Sequence, residues 1–398
     1  MTSLAGATQD EVRRANLSTV LRLLHQDGPQ TRSHITAVTG LNRSTVGDLV
    51  SALAVLGLVR ERPGDIRGVG RPSLVVEPVS GSAVVLALDL RVERTVAALV
   101  GLGGQVFARA ERQHQLGDQS TLIAEVTQVS REVLADIPPG ARWVGTGVGV
   151  PGVVRTRDGL VRFAPNLGWT DVPLGDLLRS SVGGGSGDVL IRNDADLGVL
   201  AEHMRGSARD SSTVLYLGGD VGVGGGLFVD GRPLVGAGGY GGEVGHMRVR
   251  TDGHTCRCGA RGCWETEIGL AGLLRAAGRE HVRDISVTDL VAAARDGDVA
   301  AQAAFESVGD WLGIGLVNLV NLLNPQSIVL GGHLSAIYAM APDRVAAQLQ
   351  TALPAARELV RVCSSHLGGD GTLVGAAEVA FTTVLDDPVG ALNKSVAS

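Results

Sequence analysis

Near residue 80 the apolar residues change their spacing, and that change limits the chain to two dissimilar parts in succession. Before it they recur every three to four positions, as on helices. After it, Val/Ala/Leu/Gly-rich strands alternate with amphipathic helices, the texture of an α/β body. With 44% apolar and 19% charged residues, a sizeable core is affordable in both the fold class and the 398-residue length.

From Arg14 to Glu77 the order is three helices and then two short strands, the outline of a winged helix-turn-helix. Leu17, Val20, Leu21 and Leu24 share one face of the first helix, which Gly28-Pro29 ends. A second helix starts under Thr31 or Ser33 and carries Ile35 and Val38. A third starts under an Asn42 cap and buries Val46, Leu49, Leu53 and Leu56. Its N-terminal face offers Asn42, Arg43, Ser44 and Thr45, the end that meets base edges in a major groove. The hairpin that follows carries Arg67 and Arg71 on a Gly-rich tip suited to a narrow minor groove. Nine Arg face seven acidic residues up to residue 78, whereas 26 basic residues face 34 acidic ones beyond it, so the basic part is the N-terminal one. Double-stranded DNA is the expected partner of that part. Aromatic residues make up only 3%, which argues against single-strand binding by base stacking.

No apolar run approaches the roughly 20 residues that span a bilayer, and MTSLAGATQDEVRR lacks the order of a secretion signal. A cytoplasmic protein without membrane contact is expected. Lysine occurs only at Lys394, which leaves no Gly-rich phosphate loop of the Walker type.

In the body, VVLALDL, TVAALVGL and GQVFARAERQ read as an antiparallel meander, followed by a helix near 121–137, the strand WVGTGVGVPG, a loop RDGLVRFAPNLGW, a short helix DLLRSS and the strand DVLIRND. TVLYLGG and GVGGGLFVDGRPL open a second such set, and IVLGG is a strand within a largely helical remainder. That weak duplication suits two lobes with a cleft between them. The expected divisions are 1–78 for the winged helix, 79–82 for a linker, 83–198 for the first lobe and 199–398 for the second, with the C-terminal helix free to return to the first lobe.

The stretch GGEVGHMRVRTDGHTCRCGARGCWE carries the most specific chemistry. Cys256, Cys258 and Cys263 supply three soft thiolates in one loop, and His246 or His254 completes a tetrahedral Cys3His zinc site. Four protein ligands make such a site structural. Only Cys363 stands apart.

On these residues the chain resembles the ROK family of repressors and sugar kinases, from the winged helix to about Gly375. The family's zinc motif is complete as Gly245-His246 with Cys256, Cys258, Gly259, Gly262, Cys263 and Glu265. The resemblance implies an actin-like, hexokinase-like two-lobed ATPase fold, His246 as the fourth zinc ligand, and a sugar bound by Asn166, Asn193, Asp194, Glu243, His246 and Glu265. Loop carboxylates and amides of this kind supply the donors and acceptors a polyhydroxylated ligand requires. Glucose, xylose, N-acetylglucosamine and their phosphates would all use them.

Kinases of this fold cradle phosphate on a D-x-G-G-T hairpin. Its counterpart here begins Asp89-Leu90-Arg91-Val92, with Arg91 and Val92 in place of the glycines, Glu93 nearby and Thr95 following. A second Gly-rich turn stands at Gly222-Val223-Gly224-Gly225-Gly226, and Leu330-Gly331-Gly332-His333 resembles the adenosine-side turn with one Gly changed to His. The expectation is therefore a repressor of carbohydrate-utilisation genes, without catalytic residues, that a sugar in the cleft releases from its operator. The alternative is an ATP-dependent sugar kinase with an accessory DNA-binding domain, for which Asp194 would be the base. One winged helix makes few base contacts, so a homodimer or homotetramer on an inverted-repeat operator is expected.

Overall fold

Thr8 and Glu11 close a capping box at the start of helix Gln9–Asp27, whose inner face buries Leu17, Val20, Leu21, Leu24 and His25. The structure, a computed structural model, describes residues 8–64, 74–114, 119–182, 187–282 and 285–394. Thr31 caps helix Arg32–Thr39, and Asn42 caps helix Arg43–Val55. Strand Val59–Pro63 pairs antiparallel with Leu74–Pro78, and Gln30–Thr31 joins on the other side to complete the wing's three-stranded sheet. Leu56 falls outside the buried stripe expected of it. The third helix stops at Val55 and Leu56 is its half-buried cap, so Val50 fills the inner face beside Val46, Leu49 and Leu53.

The body holds two five-stranded sheets built to one plan. In the first the order is Val189–Asn193, Arg142–Val150, Ala83–Leu90, Arg94–Gly101, Val106–Gln113. In the second it is Arg361–Ser364, Ser327–Leu330, Thr213–Gly219, Val223–Val229, Arg232–Pro233. Each central strand has an antiparallel hairpin on one side and a parallel neighbour on the other. The two hairpin sets of the sequence thus become two equivalent sheets.

The segment expected as a loop, RDGLVRFAPNLGW, instead contains strand Leu160–Ala164 and the first residue of Trp169–Val172, which form a small antiparallel sheet with Val153–Arg155. The intervening helix runs Gln119–Leu134.

The chain divides into two packed units: the described residues of Met1–Gly149, Pro173–Ile191 and Ala376–Ser398 in one, and of Val150–Val172 and Arg192–Gly375 in the other. The division is not a single cut after residue 198. Helix Asp194–Arg205 packs on strands Thr213–Gly219 and Val223–Val229, because Gly226 lacks a Cβ that would overlap the Ala195 carbonyl. No helix among the described residues is long and apolar enough to cross a membrane.

Candidate metal centre and polar ligand site

The cysteine loop is pinned at both ends by the core of its unit. Trp264 is fully buried and donates its indole N–H to the Trp311 carbonyl at 2.7 Å, while its backbone N–H bonds Met247 at 2.7 Å. Cys263 caps helix Trp264–Ile268, and a tight turn from Cys256 to Gly259 (3.0 Å) brings Cys258 around to face it. His246 ends the 3₁₀ turn Val244–His246. Gly245, just before it, packs where any Cβ would strike the Val223 carbonyl.

The ligand atoms of His246, Cys256, Cys258 and Cys263 lie within 4.8 Å of one another. Cys258 Sγ and Cys263 Sγ are 3.7 Å apart, and Cys256 Sγ is 3.6 Å from His246 Nδ1. Ligands at about 2.3 Å around a tetrahedral zinc would be separated by about 3.8 Å, close to the spacing of these two pairs, and three thiols with an imidazole are a donor set that suits that ion. His254 is exposed, and its carbonyl accepts the Gly262 N–H. Burial pushes the Cys256 and Cys263 thiols up, whereas the Ala260 backbone N–H draws Cys258 down. A cation bound here would have to displace the thiol protons.

His246 turns its other nitrogen outward. Nε2 lies 3.8 Å from Glu243 Oε2, and Nδ1 lies 3.8 Å from Glu265 Oε1. Glu265 also takes the Val223 N–H at 3.3 Å and the Cys256 thiol at 2.9 Å. Glu243 is open to solvent on one side, yet desolvation raises its carboxyl; His246 lowers it and Glu265 raises it further. Across the start of strand Val223–Val229 stands Asp194, the first residue of its helix, accepting the Ala195 N–H at 2.9 Å. Asn166 sits in the turn between strands Leu160–Ala164 and Trp169–Val172.

All six residues named for the sugar therefore fall in one packed unit. Glu243, His246 and Glu265 are brought together beside the cysteine cluster, and Asp194 stands beside the same Gly-rich turn. Asn193 is engaged differently. Its Oδ1 accepts the N–H groups of Ala195 (2.8 Å) and Asp196 (3.3 Å), and its Nδ2 donates to the Gly152 carbonyl at 3.0 Å, which makes it the cap that holds Asp194 in place. Asn166 accepts a hydrogen bond from Arg257, the residue between the first two cysteines. Arg257 was legible only as a cation inside the cysteine motif.

Asp196 is a second residue that the motif alone does not single out. It is 9% exposed, and burial above all, with the Glu243 charge, pushes its carboxyl up to about 7 against the pull of Arg192. An unfolded aspartate titrates near 3.9, so the folded chain holds an extra proton between those values. Stability from this residue then falls as pH rises from about 4 to about 7. Asp196→Asn is expected to raise Tm by several degrees at pH 8 and to leave it unchanged at pH 4, read by thermal denaturation of both proteins. No gain at pH 8 would mean that the buried carboxylate is already compensated.

In the winged helix, Asn42 Oδ1 accepts from Thr45 N–H (2.8 Å) and Ser44 Oγ (2.7 Å). These three side chains form the start of the helix, while Arg43 is exposed and pairs with no other described residue. Arg60 and Arg62 on the wing strands are both held by Glu77, at 2.6 and 2.9 Å. Arg67 and Arg71 lie outside the described residues.

At the first hairpin of the body, Arg91 folds back on Asp89, with Nη2 and Oδ2 2.6 Å apart. At the later turn His333 is buried and its Nε2 lies 3.1 Å from the Ile268 carbonyl oxygen; burial lowers its pKa.

A family model described as "ROK family" matches residues 85–383. The xylose repressor of Bacillus spizizenii is 27% identical, with 96% of this chain and 98% of that protein covered. The crystal structure of a ROK family transcriptional regulator, a homologue of the E. coli MLC protein, superposes with TM-score 0.80 at 24% identity over 98% of this chain and all of that one. A ROK family glucokinase from Streptomyces griseus, solved with glucose and AMPPNP, gives TM-score 0.65 at 25% identity over 74% of this chain and 98% of that one. These likenesses carry the two-lobed actin-like ATPase fold.

Proposed function

The chain belongs to the ROK family, and from that membership we propose that it is a DNA-binding transcriptional repressor released from its operator by a sugar. The observation that carries this reading is layout. The repressor relative matches nearly end to end, whereas the glucokinase is covered almost fully yet leaves a quarter of this chain unmatched, and the family model starts at residue 85. Helices Gln9–Asp27, Arg32–Thr39 and Arg43–Val55 with their wing precede that point.

In this proposal Asp194, Glu243, Glu265 and Asn166 bond the hydroxyls of the sugar, Asn193 positions Asp194, and His246 joins the sugar to a structural zinc held with Cys256, Cys258 and Cys263. Zinc suits three thiolates and an imidazole with no open position. Its chemistry there is to fix the loop. Arg43 reads the major groove, and Arg67 and Arg71 enter the minor groove beside it. A homodimer or homotetramer on an inverted repeat completes the arrangement.

Arg43→Ala and Arg71→Ala are each expected to weaken operator binding about tenfold. Arg60→Ala should change it little, because Glu77 already occupies that guanidinium. Mobility-shift titrations that ranked Arg60 above Arg43 would reverse the assignment.

A sugar kinase is the second reading, favoured by Asp194 and the turn Gly222–Gly226. Against it, Arg91 neutralises Asp89 at the hairpin where kinases present glycines to phosphate. Assay with ATP and D-glucose or D-xylose tests it: sugar-dependent ADP formation would make the chain an enzyme.

A further inference from the structure

Helix Gly371–Asp386 begins in one packed unit and ends in the other, with the division between Gly375 and Ala376. Its first turn lies against the start of helix Asp194–Arg205. Thr372 Oγ1 is 3.5 Å from the Asp194 carbonyl oxygen, and Gly375 packs so tightly that a Cβ would overlap the Leu197 carbonyl. Its later turns meet the first helix of the winged domain. Glu378 Oε2 is 3.0 Å from His25 Nε2, both side chains are buried, and the Phe381 ring stands 4.8 Å from the imidazole. Arg22 bonds Asp386 one turn further on.

The imidazole is bonded on both edges. Gly103 N–H donates to His25 Nδ1 at 2.9 Å, which places the ring proton on Nε2, where it donates to Glu378. A buried hydrogen bond is directional, so the His25–Glu378 pair, with Arg22–Asp386 beside it, favours one packing geometry of the two helices over its neighbours. Leucines at both positions would anchor the helices equally well without specifying how they meet.

We propose that helix Gly371–Asp386 is the link through which the segment Asp194–Leu197 sets the state of the DNA-binding helices, with His25 and Glu378 as the positioning residues that make helix Gln9–Asp27 follow it. The link is a property of the packing; that a sugar drives it rests on the function proposed above.

The test is a double-mutant cycle read by hydrogen exchange on the full-length protein, which requires neither a known operator nor a known sugar. Gly375→Ala pushes the helix off Leu197; Glu378→Ala breaks the bond to His25; Glu378→Gln retains a hydrogen-bonding side chain of the same shape. Gly375→Ala is expected to change exchange in residues 9–27 by threefold or more in the wild-type and Glu378→Gln backgrounds, and not in Glu378→Ala. An equal change in all three backgrounds, or none in any, would overturn the link. Should Gly375→Ala not fold, judged by circular dichroism, Thr372→Val serves in the same cycle. D-xylose, D-glucose, N-acetylglucosamine and their phosphates are then added to the wild type. If none alters Tm while the cycle shows coupling, the sugar reading fails and the link stands. If one protects residues 194–197 without changing exchange in 9–27, the link fails and the sugar reading stands.

Discussion

Cys258→Ser is expected to empty the metal centre, lower stability by about 3 kcal/mol or more, and abolish sugar binding with it. The three effects share one cause. Without the metal, Cys256, Cys258 and Cys263 have no common partner, and burial returns Cys256 and Cys263 to neutral thiols. His246 then loses the restraint on Nδ1 that aims Nε2 toward Glu243. The fall is smaller than for an isolated zinc finger, because Trp264 and its bond to Trp311 anchor the loop independently. Elemental analysis should fall from one zinc per chain to none, and Tm by several degrees. Cys363→Ser, on strand Arg361–Ser364, should change neither. Wild-type protein that binds sugar fully while free of metal would contradict the assignment.

Asp194→Ala is expected to retain operator affinity within about twofold while lowering sugar affinity about a hundredfold, so that the variant no longer responds to inducer. A site built to bond a hydroxyl loses heavily when one partner is removed and the others stay desolvated. The local fold should survive. Asn193 still caps helix Asp194–Arg205, so the helix forfeits only the about 0.5 kcal/mol that one carboxylate at its N-terminus supplies. Because a ligand shifts an equilibrium only by its differential affinity for the two states, losing the sugar contact removes release without touching DNA. Unaltered release at the same sugar concentration would show that Asp194 does not read the ligand.

Much of this was legible before the fold was known, and for specific reasons. Leu17, Val20, Leu21 and Leu24 repeat at helical spacing, and a cap residue stands before each later helix, so the winged domain could be drawn from pattern alone. The cysteine spacing announced its own chemistry. Strands Val153–Arg155, Leu160–Ala164 and Trp169–Val172 escaped because they are three to five residues long and interrupted by Asp158-Gly159 and Pro165-Asn166, which read as turns. Strand Arg361–Ser364 carries Arg and Ser at its ends and owes its form to its parallel partner Ser327–Leu330. At the site, the bonds that make Asn193 a cap had no mark in the sequence, since only the folded chain places the Gly152 carbonyl and the Ala195 and Asp196 N–H groups around it. Asp196 and Arg257 escaped for the complementary reason: burial and a partner 91 residues away leave no local mark.

Selection of duplex DNA by the full-length protein, followed by addition of sugars to the selected complex, reaches the central claim most directly. The expected result is one inverted-repeat sequence bound at about 10⁻⁸ M or tighter, with affinity falling steeply as salt rises, and dissociated by D-xylose, D-glucose or N-acetylglucosamine or one of their phosphates without ATP turnover. A protein that enriches no sequence, and that phosphorylates a sugar when given ATP, would contradict it.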